Sequence, residues 1–193
     1  RRFAGSRSEW AVIVDPIDGT LHFRNGDGPY HVSIGLAHRG RMQAAIVARP
    51  TEGKVFTAVR GGGAWVHAPG SRLRRLRLPA RPRTRAAFIS SKARAYQRLA
   101  APELEPREHP IGAALILTLL AEGRLCAYLT RQVEVYDVGP PSLVAEEAGA
   151  TCFLANGRSP LYSSQRMFGL YMAAADPAAA AKLRAMVRAL RNG

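Results

Sequence analysis

A chain of 193 residues with 47% hydrophobic residues can bury the core of one large domain or of two small ones that share an interface. Its longest apolar run, residues 111–121, is well short of the roughly 20 residues that a membrane-spanning helix needs, so no such helix is predicted. The net charge of +14 comes almost entirely from arginine. The densest arginine run, residues 72–85, is punctuated by leucines and has no aromatic residue to stack on bases, so we interpret it as a solvated edge strand rather than a nucleic-acid interface.

The cysteines and histidines show no metal-ligand spacing. Cys126 and Cys152 lie far apart within apolar stretches, which favours buried free thiols in a reducing compartment such as the cytoplasm. For the five histidines we expect surface or capping roles. The chain begins at Arg1, without Met or an apolar signal segment, and we expect it to be a fragment or a trimmed form of a longer protein.

The first part of the chain predicts a meander of strands. Trp10–Val14 is a continuous apolar run, which is typical of a buried strand. His31–Ala37 and Met42–Ala48 flank a polar turn, and Lys54–Val59 and Ala64–His67 flank three consecutive glycines.

Beyond Pro82 the pattern changes to alternating strands and helices. We predict strands over Ala86–Ser90, Leu125–Leu129 and Phe168–Ala174, and helices over Lys92–Ala100, Ile111–Glu122, Pro141–Ala148 and from a cap at Asp176 onward. The order of elements predicts an α+β fold. Its antiparallel-sheet subdomain would occupy residues 1–82 and its mixed α/β subdomain residues 83–193.

The hexapeptide D-P-I-D-G-T at residues 15–20 is the motif most specific for function. Two carboxylates three residues apart, those of Asp15 and Asp18, would repel each other in one cleft unless cations lay between them. Mg²⁺ suits such a site because it prefers hard oxygen ligands and can share a substrate phosphate. Pro16 cannot donate a ladder hydrogen bond, so we expect it to end the strand and to free the carbonyl of Ile17 to turn inward.

The last two residues of the hexapeptide, Gly19 and Thr20, are suited to contact a phosphate. Glycine lets the backbone approach closely, and Thr20 offers an amide and a hydroxyl where a short helix could begin. The alternative is an ordinary strand-to-turn transition, in which Asp, Pro and Gly are all common. The complete hexapeptide behind an apolar strand favours the metal site.

The hexapeptide matches the D-P-[IL]-D-G-T signature of a known family, and the chain resembles the inositol monophosphatase superfamily of magnesium-dependent, lithium-sensitive phosphatases. Further matches follow in the family's order: V-S-I-G-L at 32–36, G-G-G-A at 61–64, A-E-G-R at 121–124, Y-D at 136–137 and E-E-A-G-A at 146–150. The resemblance covers nearly the whole chain from Trp10 and implies a layered αβαβα sugar-phosphatase-like fold.

The resemblance also implies roles for individual residues. Asp15 would bridge two Mg²⁺ ions, Ile17 would give its carbonyl to one ion, and Asp18 would hold the other. Asp137 would be a third carboxylate from the second subdomain, although aspartate also favours a helix N-cap and both roles are compatible. Thr20 would hold the attacking water, so Thr20 and Asp15 are the expected catalytic residues. The expected substrate-binding residues are Asp18, Gly19, Thr20, Gly112, Ala113 and Asp137.

The chain departs from the family pattern in three places. The family's upstream G-E-E loop is missing, and Glu9, the one acidic residue before Asp15, would lie about 20 Å away along an extended strand. The G-S-[AS] segment reads G-A-A at 112–114, which removes a hydroxyl, and W-D-x-A-A reads Y-D-V-G-P with a further proline at 136–141. The first departure indicates truncation, and the other two could shift the substrate or weaken catalysis.

The resulting expectation is a Mg²⁺-dependent phosphomonoesterase, inositol monophosphatase-like, that acts on a small phosphorylated metabolite through a metal-activated water. Alternative substrates are those of 3′(2′),5′-bisphosphate nucleotidases and histidinol-phosphate phosphatases. An alternative of another class is a catalytically impaired pseudoenzyme that binds metal and phosphate. We expect no membrane or nucleic-acid partner. Without the upstream helices, bare apolar faces should favour aggregation or a homodimer.

Overall fold

The computed structural model describes residues 9–80, 84–100, 104–107, 112–162 and 167–191. The strands in these ranges are β1 (Trp10–Asp18), β2 (His31–His38), β3 (Arg41–Arg49), β4 (Lys54–Val59), β5 (Gly63–His67), β6 (Arg74–Leu76), β7 (Ala86–Ile89), β8 (Glu105–Arg107), β9 (Ala127–Glu134), β10 (Thr151–Leu154) and β11 (Met167–Ala174). The helices are α1 (Thr20–Asn25), α2 (Arg94–Ala100), α3 (Ala113–Ala121), α4 (Val135–Ala148) and α5 (Pro177–Arg191), with 3₁₀ turns at Pro50–Glu52 and Ser91–Ala93.

The strands form two sheets. Strands β1 to β6 make a six-stranded antiparallel sheet in chain order. The second sheet has the order β10-β11-β9-β7-β8, in which β7 is parallel to β8 and β9 while β11 is antiparallel to its two neighbours. The fold is therefore mixed α+β, which confirms the predicted class. The division at residue 82 stays a prediction, and residues 81–83 lie outside the described ranges.

Helices α3 and α4 lie between the sheets. One cluster of buried side chains includes Ile13 and Phe56 of the first sheet, Leu117 of α3 and Tyr171 of the second sheet. A second cluster, which includes Leu183, joins the other face of the second sheet to α5. The layers of the described residues are therefore sheet, helices, sheet, helices. Within those residues, no helix covers the outer face of the six-stranded sheet.

The first strand corrects one expectation. Of the run Trp10–Val14, Ile13 is buried, whereas Val12 is 61% exposed and Val14 is 49% exposed. The reason is geometric, because successive side chains of a strand point to opposite faces and only one face of this sheet is covered by described residues. Val14, Ile34 and Ile46 lie opposite one another across β1, β2 and β3, so the open face is apolar.

The α4 helix corrects a second expectation. It begins at Val135, six residues before the predicted start, so Pro140 and Pro141 lie in its interior rather than in its first turn. A capping box starts the helix: the Glu134 side chain accepts from the backbone of Asp137, and the Asp137 side chain accepts from the backbone of Glu134. Since proline has no N–H, the carbonyls four residues before each proline lack their usual helical donors.

The remaining elements agree with the prediction or extend it. The arginine-rich run contributes β6, the edge strand of the first sheet, and the predicted helix at 111–122 spans Ala113–Ala121, with Ile111 outside the described residues. Asp176 caps α5 through a 2.6 Å bond that Oδ1 accepts from Ala179. The short strands β8 and β10 were not predicted. No helix among the described residues is long and apolar enough to cross a membrane.

Candidate metal centre

A bulge in β1 turns two aspartates to the same side of the sheet. Asp15 pairs with Ser33 and Asp18 pairs with His31, so three steps along β1 match two steps along β2. Without this extra residue, strand alternation would point Asp15 and Asp18 to opposite faces. The bulge contains Pro16, which the expectation had placed at the end of the strand. The strand instead resumes and ends at Asp18, because proline is tolerated at bulges.

The N-terminus of α3 fixes the carboxylate of Asp18. The backbone N–H of Ala114 donates to Asp18 Oδ2 over 2.8 Å. A Cβ atom at Gly112 would clash with the same carboxylate, so this N-cap position has room only for glycine. The backbone of Ala113 also hydrogen-bonds Asp18. Gly112 and Ala113 thus contact Asp18, and their expected role in substrate binding stays a prediction.

Asp137, on α4, lies next to Asp15 and Asp18. Its Oδ2 accepts from the backbone N–H of Glu134 over 3.3 Å, which holds the side chain at the first turn of the helix. Asp15, Asp18 and Asp137 each offer a ligand atom, and these atoms lie within 4.8 Å of one another. The three carboxylates therefore converge as expected, while their roles as ligands stay a prediction.

Burial disfavours the ionised forms of these three carboxyl groups when no cation is bound. The pKa of Asp18 is raised to about 7, chiefly by burial and in smaller part by the charges of Asp137 and Asp15, while the hydrogen bond from the Ala114 N–H opposes the shift. The pKa of Asp137 is likewise raised to about 6, chiefly by burial and in smaller part by the charge of Asp15. For Asp15 burial also raises the pKa, against a hydrogen bond from Ile17. A bound cation would favour all three ionised forms.

The remaining predicted site residues lie where β1 passes into α1. The Ile17 N–H donates to Asp15 Oδ1 over 3.1 Å, and the Thr20 hydroxyl donates to the Ile17 carbonyl over 2.9 Å. Gly19 is the N-cap of α1 with φ of 84°, a left-handed conformation that favours glycine. Thr20 is exposed at the start of α1, as a residue that contacts water or substrate must be. No observation tests the expected roles of these residues.

The sequence patterns did not predict a buried network of hydrogen-bonded polar side chains beside Asp18. Arg49 is fully buried, donates through Nε to His31 Nε2 over 3.0 Å, and donates through one Nη to Thr118 Oγ1 over 2.6 Å. Its other Nη binds both carboxylate oxygens of Glu52. The expected surface or capping role is wrong for His31, which is buried next to Asp18 on the neighbouring strand. No local pattern connects Arg49 with His31 and Thr118, because β2, β3 and α3 contribute one of these three residues each.

The donor set fits a hard divalent cation. Carboxylate oxygens are the ligands that Mg²⁺ prefers, and the Ile17 carbonyl retains a second lone pair beside its hydrogen bond from Thr20. Among the described residues, no cysteine or histidine joins the group of three aspartates, so the donors are all oxygen.

Comparison with known proteins places this arrangement in a family. The model of the inositol monophosphatase family matches residues 2–191. The chain is 33% identical to an inositol-1-monophosphatase of Mycobacterium leprae over 91% of this chain and 62% of that relative. It is 30% identical to the Nus factor SuhB of Pasteurella multocida over 82% of this chain and 62% of that relative. The chain thus spans less than two thirds of the length of these relatives.

Solved structures share the fold. Mycobacterium tuberculosis SuhB has a TM-score of 0.74 with 30% identity, over 94% of this chain and 73% of that one. The IMPase of Thermotoga maritima has a TM-score of 0.79 over 97% of this chain and 72% of that one, and at 18% identity it bears on the fold alone. The chain belongs to the inositol monophosphatase family.

Proposed function

We propose that this protein is a Mg²⁺-dependent phosphomonoesterase that acts on a small phosphorylated metabolite. The observation that carries the proposal is the convergence of Asp15, Asp18 and Asp137, whose ligand atoms lie within 4.8 Å of one another, with Asp15 and Asp18 buried and Asp137 half-buried. Membership of a phosphatase family supports the same conclusion.

Each part of the site has a separate task in this reaction. Bound Mg²⁺ would offset the phosphate charge and lower the pKa of a bound water. Asp15, at the bulge, would be the shared anchor of the ions. Asp18 is held by the α3 N-terminus, and the Thr20 hydroxyl, next to the Ile17 carbonyl, would orient the attacking water. Gly19 would allow close backbone approach to the phosphate, and Gly112 and Ala113, which contact Asp18, would line the same site. No serine or cysteine nucleophile is needed.

For the substrate we rank inositol monophosphates first. Relatives named inositol-1-monophosphatase support this ranking. Relatives named Nus factor SuhB match at similar identity, so the comparison by itself does not choose a substrate. Histidinol phosphate and 3′(2′),5′-bisphosphate nucleotides are the alternatives to test. We further propose a cytoplasmic setting, which is supported by two buried cysteines that form no disulfide bond with each other.

A second candidate is a pseudoenzyme that binds metal and phosphate without turnover. The observation that favours it is Ala113, which brings a methyl group to the helix N-terminus where the family carries a hydroxyl. The carboxylate cluster is intact in either case, so metal binding does not separate the two candidates, whereas turnover does.

The decisive assay is phosphate release by the complete gene product. Inositol 1-phosphate, histidinol phosphate and adenosine 3′,5′-bisphosphate are tested separately, with Mg²⁺ and with a chelator. The proposal expects Mg²⁺-dependent release from at least one compound, with inhibition by lithium. Release that persists in chelator contradicts the metal mechanism. Mg²⁺ binding without release from any phosphomonoester favours the pseudoenzyme.

A further inference from the structure

A polar cavity lies at the opposite end of α4 from the aspartate cluster. Its volume is about 270 Å³. Glu146, near the end of α4, follows Asp137 by nine residues, or about 14 Å along the helix axis. The cavity is therefore separate from the candidate metal centre. The polar side chains that line it include Arg41, Arg60, Glu146, Glu147 and Tyr162.

Hydrogen bonds to the backbone bring the walls of this cavity together. The N–H of Tyr162 donates to the carbonyl of Gly40 over 2.8 Å, which holds the segment after β10 beside Arg41 at the start of β3. Arg60 follows β4, and its Nε donates to the carbonyl of Met42 over 2.9 Å. Guanidinium groups at the ends of β3 and β4 thus reach a cavity that α4 and the segment after β10 complete.

Only part of the charge in the cavity is paired within the protein. Both carboxylate oxygens of Glu147 accept backbone N–H groups of the β4–β5 connection, over 2.9 Å each. Oε2 of Glu146 lies 2.9 Å from an Nη of Arg60. Among the described residues, Arg41 forms no ion pair, its guanidinium donates no hydrogen bond, and Oε1 of Glu146 accepts none. The cavity thus presents a donor fork and an acceptor oxygen that a bound molecule can use.

The charges of the lining favour a zwitterion over a phosphate. Burial raises the pKa of the Glu146 carboxyl and the charges of Arg60 and Arg41 oppose this shift, so Arg41 lies within electrostatic range of Glu146. The two arginines and two glutamates of the lining carry no net charge. A phosphate dianion at Arg41 would therefore face the negative charge of Glu146. A carboxylate instead matches the planar fork of Arg41, while an ammonium group on the same molecule pairs with Glu146.

Tyr162 adds a buried polar group to the lining. It is 2% exposed, and its hydroxyl is buried without a hydrogen bond, while the nearby hydroxyls of Ser142 and Tyr171 bond each other. Buried hydroxyl groups in proteins normally have a partner. A bound molecule with a polar side chain can supply one, and Ala150 and Pro160 provide apolar contact beside it.

We propose that this cavity binds a free α-amino acid, with its carboxylate on Arg41 and its ammonium group on Glu146. The inference is independent of the proposed function, because no residue of the aspartate cluster takes part. The volume of about 270 Å³ lies just below the range for drug-sized ligands, roughly 300–1,000 Å³, which suits a smaller molecule.

The test is calorimetric titration of the protein with each of the common amino acids and with inorganic phosphate, in a chelator that keeps the aspartate cluster free of metal. At least one amino acid should bind with a dissociation constant of about 1 mM or below, and more tightly than phosphate. Its methyl ester, which lacks the carboxylate charge, and its analogue without the amino group should each bind at least about tenfold more weakly.

Four variants test whether the amino acid occupies this cavity. Arg41→Gln should weaken binding at least about tenfold, and it should fold because Arg41 is exposed. Glu146→Gln should weaken binding of the amino acid more than binding of its analogue without the amino group. Arg39→Gln removes an equal charge two residues from Arg41 but outside the cavity lining, so it should leave the affinity unchanged. Asp15→Asn should also leave it unchanged.

Any of four results overturns the inference. The wild type could bind no amino acid at millimolar concentration, or it could bind phosphate more tightly than every amino acid, which would make the cavity an anion site. The loss in Arg41→Gln could be no larger than that in Arg39→Gln. Binding could also disappear in Asp15→Asn, which would place the amino acid at the aspartate cluster. None of these measurements depends on turnover, so a failed phosphatase assay leaves the test intact.

Discussion

Gly112 shows how a residue without a side chain can set the geometry of the candidate metal centre. Its backbone is extended, with φ of −60° and ψ of 152°, which any residue can adopt. What excludes larger residues is the carboxylate of Asp18, which occupies the place of the missing Cβ. The glycine therefore lets Asp18 reach the amide of Ala114, and the contact orients the carboxylate toward Asp15 and Asp137.

Gly112→Ala should displace Asp18 and weaken Mg²⁺ binding by at least about tenfold, on the scale of changes to groups that orient metal ligands. The measurement is the Mg²⁺ dissociation constant by calorimetry. Gly169→Ala is the matched control, because a Cβ there meets no atom within 4 Å. Equal affinities in the two variants would show that the clash is relieved without moving Asp18.

His31 gives the fold a defined acid sensitivity. Burial, reinforced by the charge of Arg49, lowers the pKa of His31 from 6.5 to about 3. Below about pH 6.5 His31 is therefore protonated in the unfolded chain but stays neutral in the folded protein. The free energy of unfolding falls as the pH drops toward 3. Above pH 6.5 the histidine is neutral in both states and contributes no pH dependence.

His31→Gln should remove this part of the acid sensitivity, because the amide oxygen can still accept from Arg49 but does not titrate in this range. Between pH 7 and pH 5 the wild type should lose on the order of 1–2 kcal/mol more than the variant. Urea unfolding at the two pH values measures this difference. Equal losses in both proteins would mean that His31 is protonated in the folded state near its ordinary pKa.

The residues of the site differ in how far a sequence can predict them. Asp15, Asp18 and Asp137 are found through short motifs, because each acts with its immediate neighbours in the chain. The bond from Arg49 to His31 links residues 18 positions apart and the bond to Thr118 spans 69. A contact of that kind depends on how the sheet packs against α3, and no local pattern encodes it.

At the scale of elements, β1 and α4 show where pattern reasoning is limited. Five apolar residues in a row favour a strand that is buried on both faces, yet Val12 and Val14 lie on an open face. In α4, prolines suggested a helix start, but the Glu134–Asp137 capping box begins the helix six residues earlier, about 1.7 turns. Whether a strand face is covered by another element, and whether a capping box determines the start of a helix despite a later proline, depends on tertiary structure.

The open face of the six-stranded sheet should drive self-association of the 193-residue chain, including a homodimer. Ile34 is 45% exposed and Ile46 is 50% exposed, and they lie directly opposite each other on β2 and β3. Replacing both with threonine keeps β-propensity while reducing the apolar area. Sedimentation velocity should show a smaller associated fraction for the double variant than for wild type. A wild type that is monodisperse and monomeric at all concentrations would contradict the prediction.

At the scale of the whole molecule, a buried acidic cluster sits in a strongly basic protein. The net charge of +14 favours the approach of phosphate anions, whereas the cluster itself would repel them until cations bind. Without metal, the folded protein holds protons on Asp18 up to about pH 7 and on Asp137 up to about pH 6. The unfolded chain has released these protons by about pH 4. The free energy of unfolding of the metal-free protein therefore falls as the pH rises from about 4 to about 7.

Mg²⁺ should therefore raise the melting temperature more at pH 8 than at pH 5. Protons compete with the ion for the oxygens of Asp18 and Asp137 at the lower pH, and the competition disappears once both groups are ionised. Differential scanning calorimetry at constant ionic strength measures the two shifts. A Mg²⁺ effect of equal size at both pH values would place the ion elsewhere on the protein.

Phosphate release by Asp15→Asn tests the central claim most directly. The change keeps the size of the side chain but removes the charge that would anchor both ions. The complete gene product should therefore lose detectable Mg²⁺-dependent turnover of its best phosphomonoester. The expected loss is roughly several kcal/mol in transition-state stabilisation, by analogy with the removal of other charge-stabilising groups. Asp176→Asn, which alters a helix cap at α5, should keep nearly full activity because Asn caps as well as Asp. Turnover in Asp15→Asn equal to that of Asp176→Asn would contradict a metal centre built on Asp15.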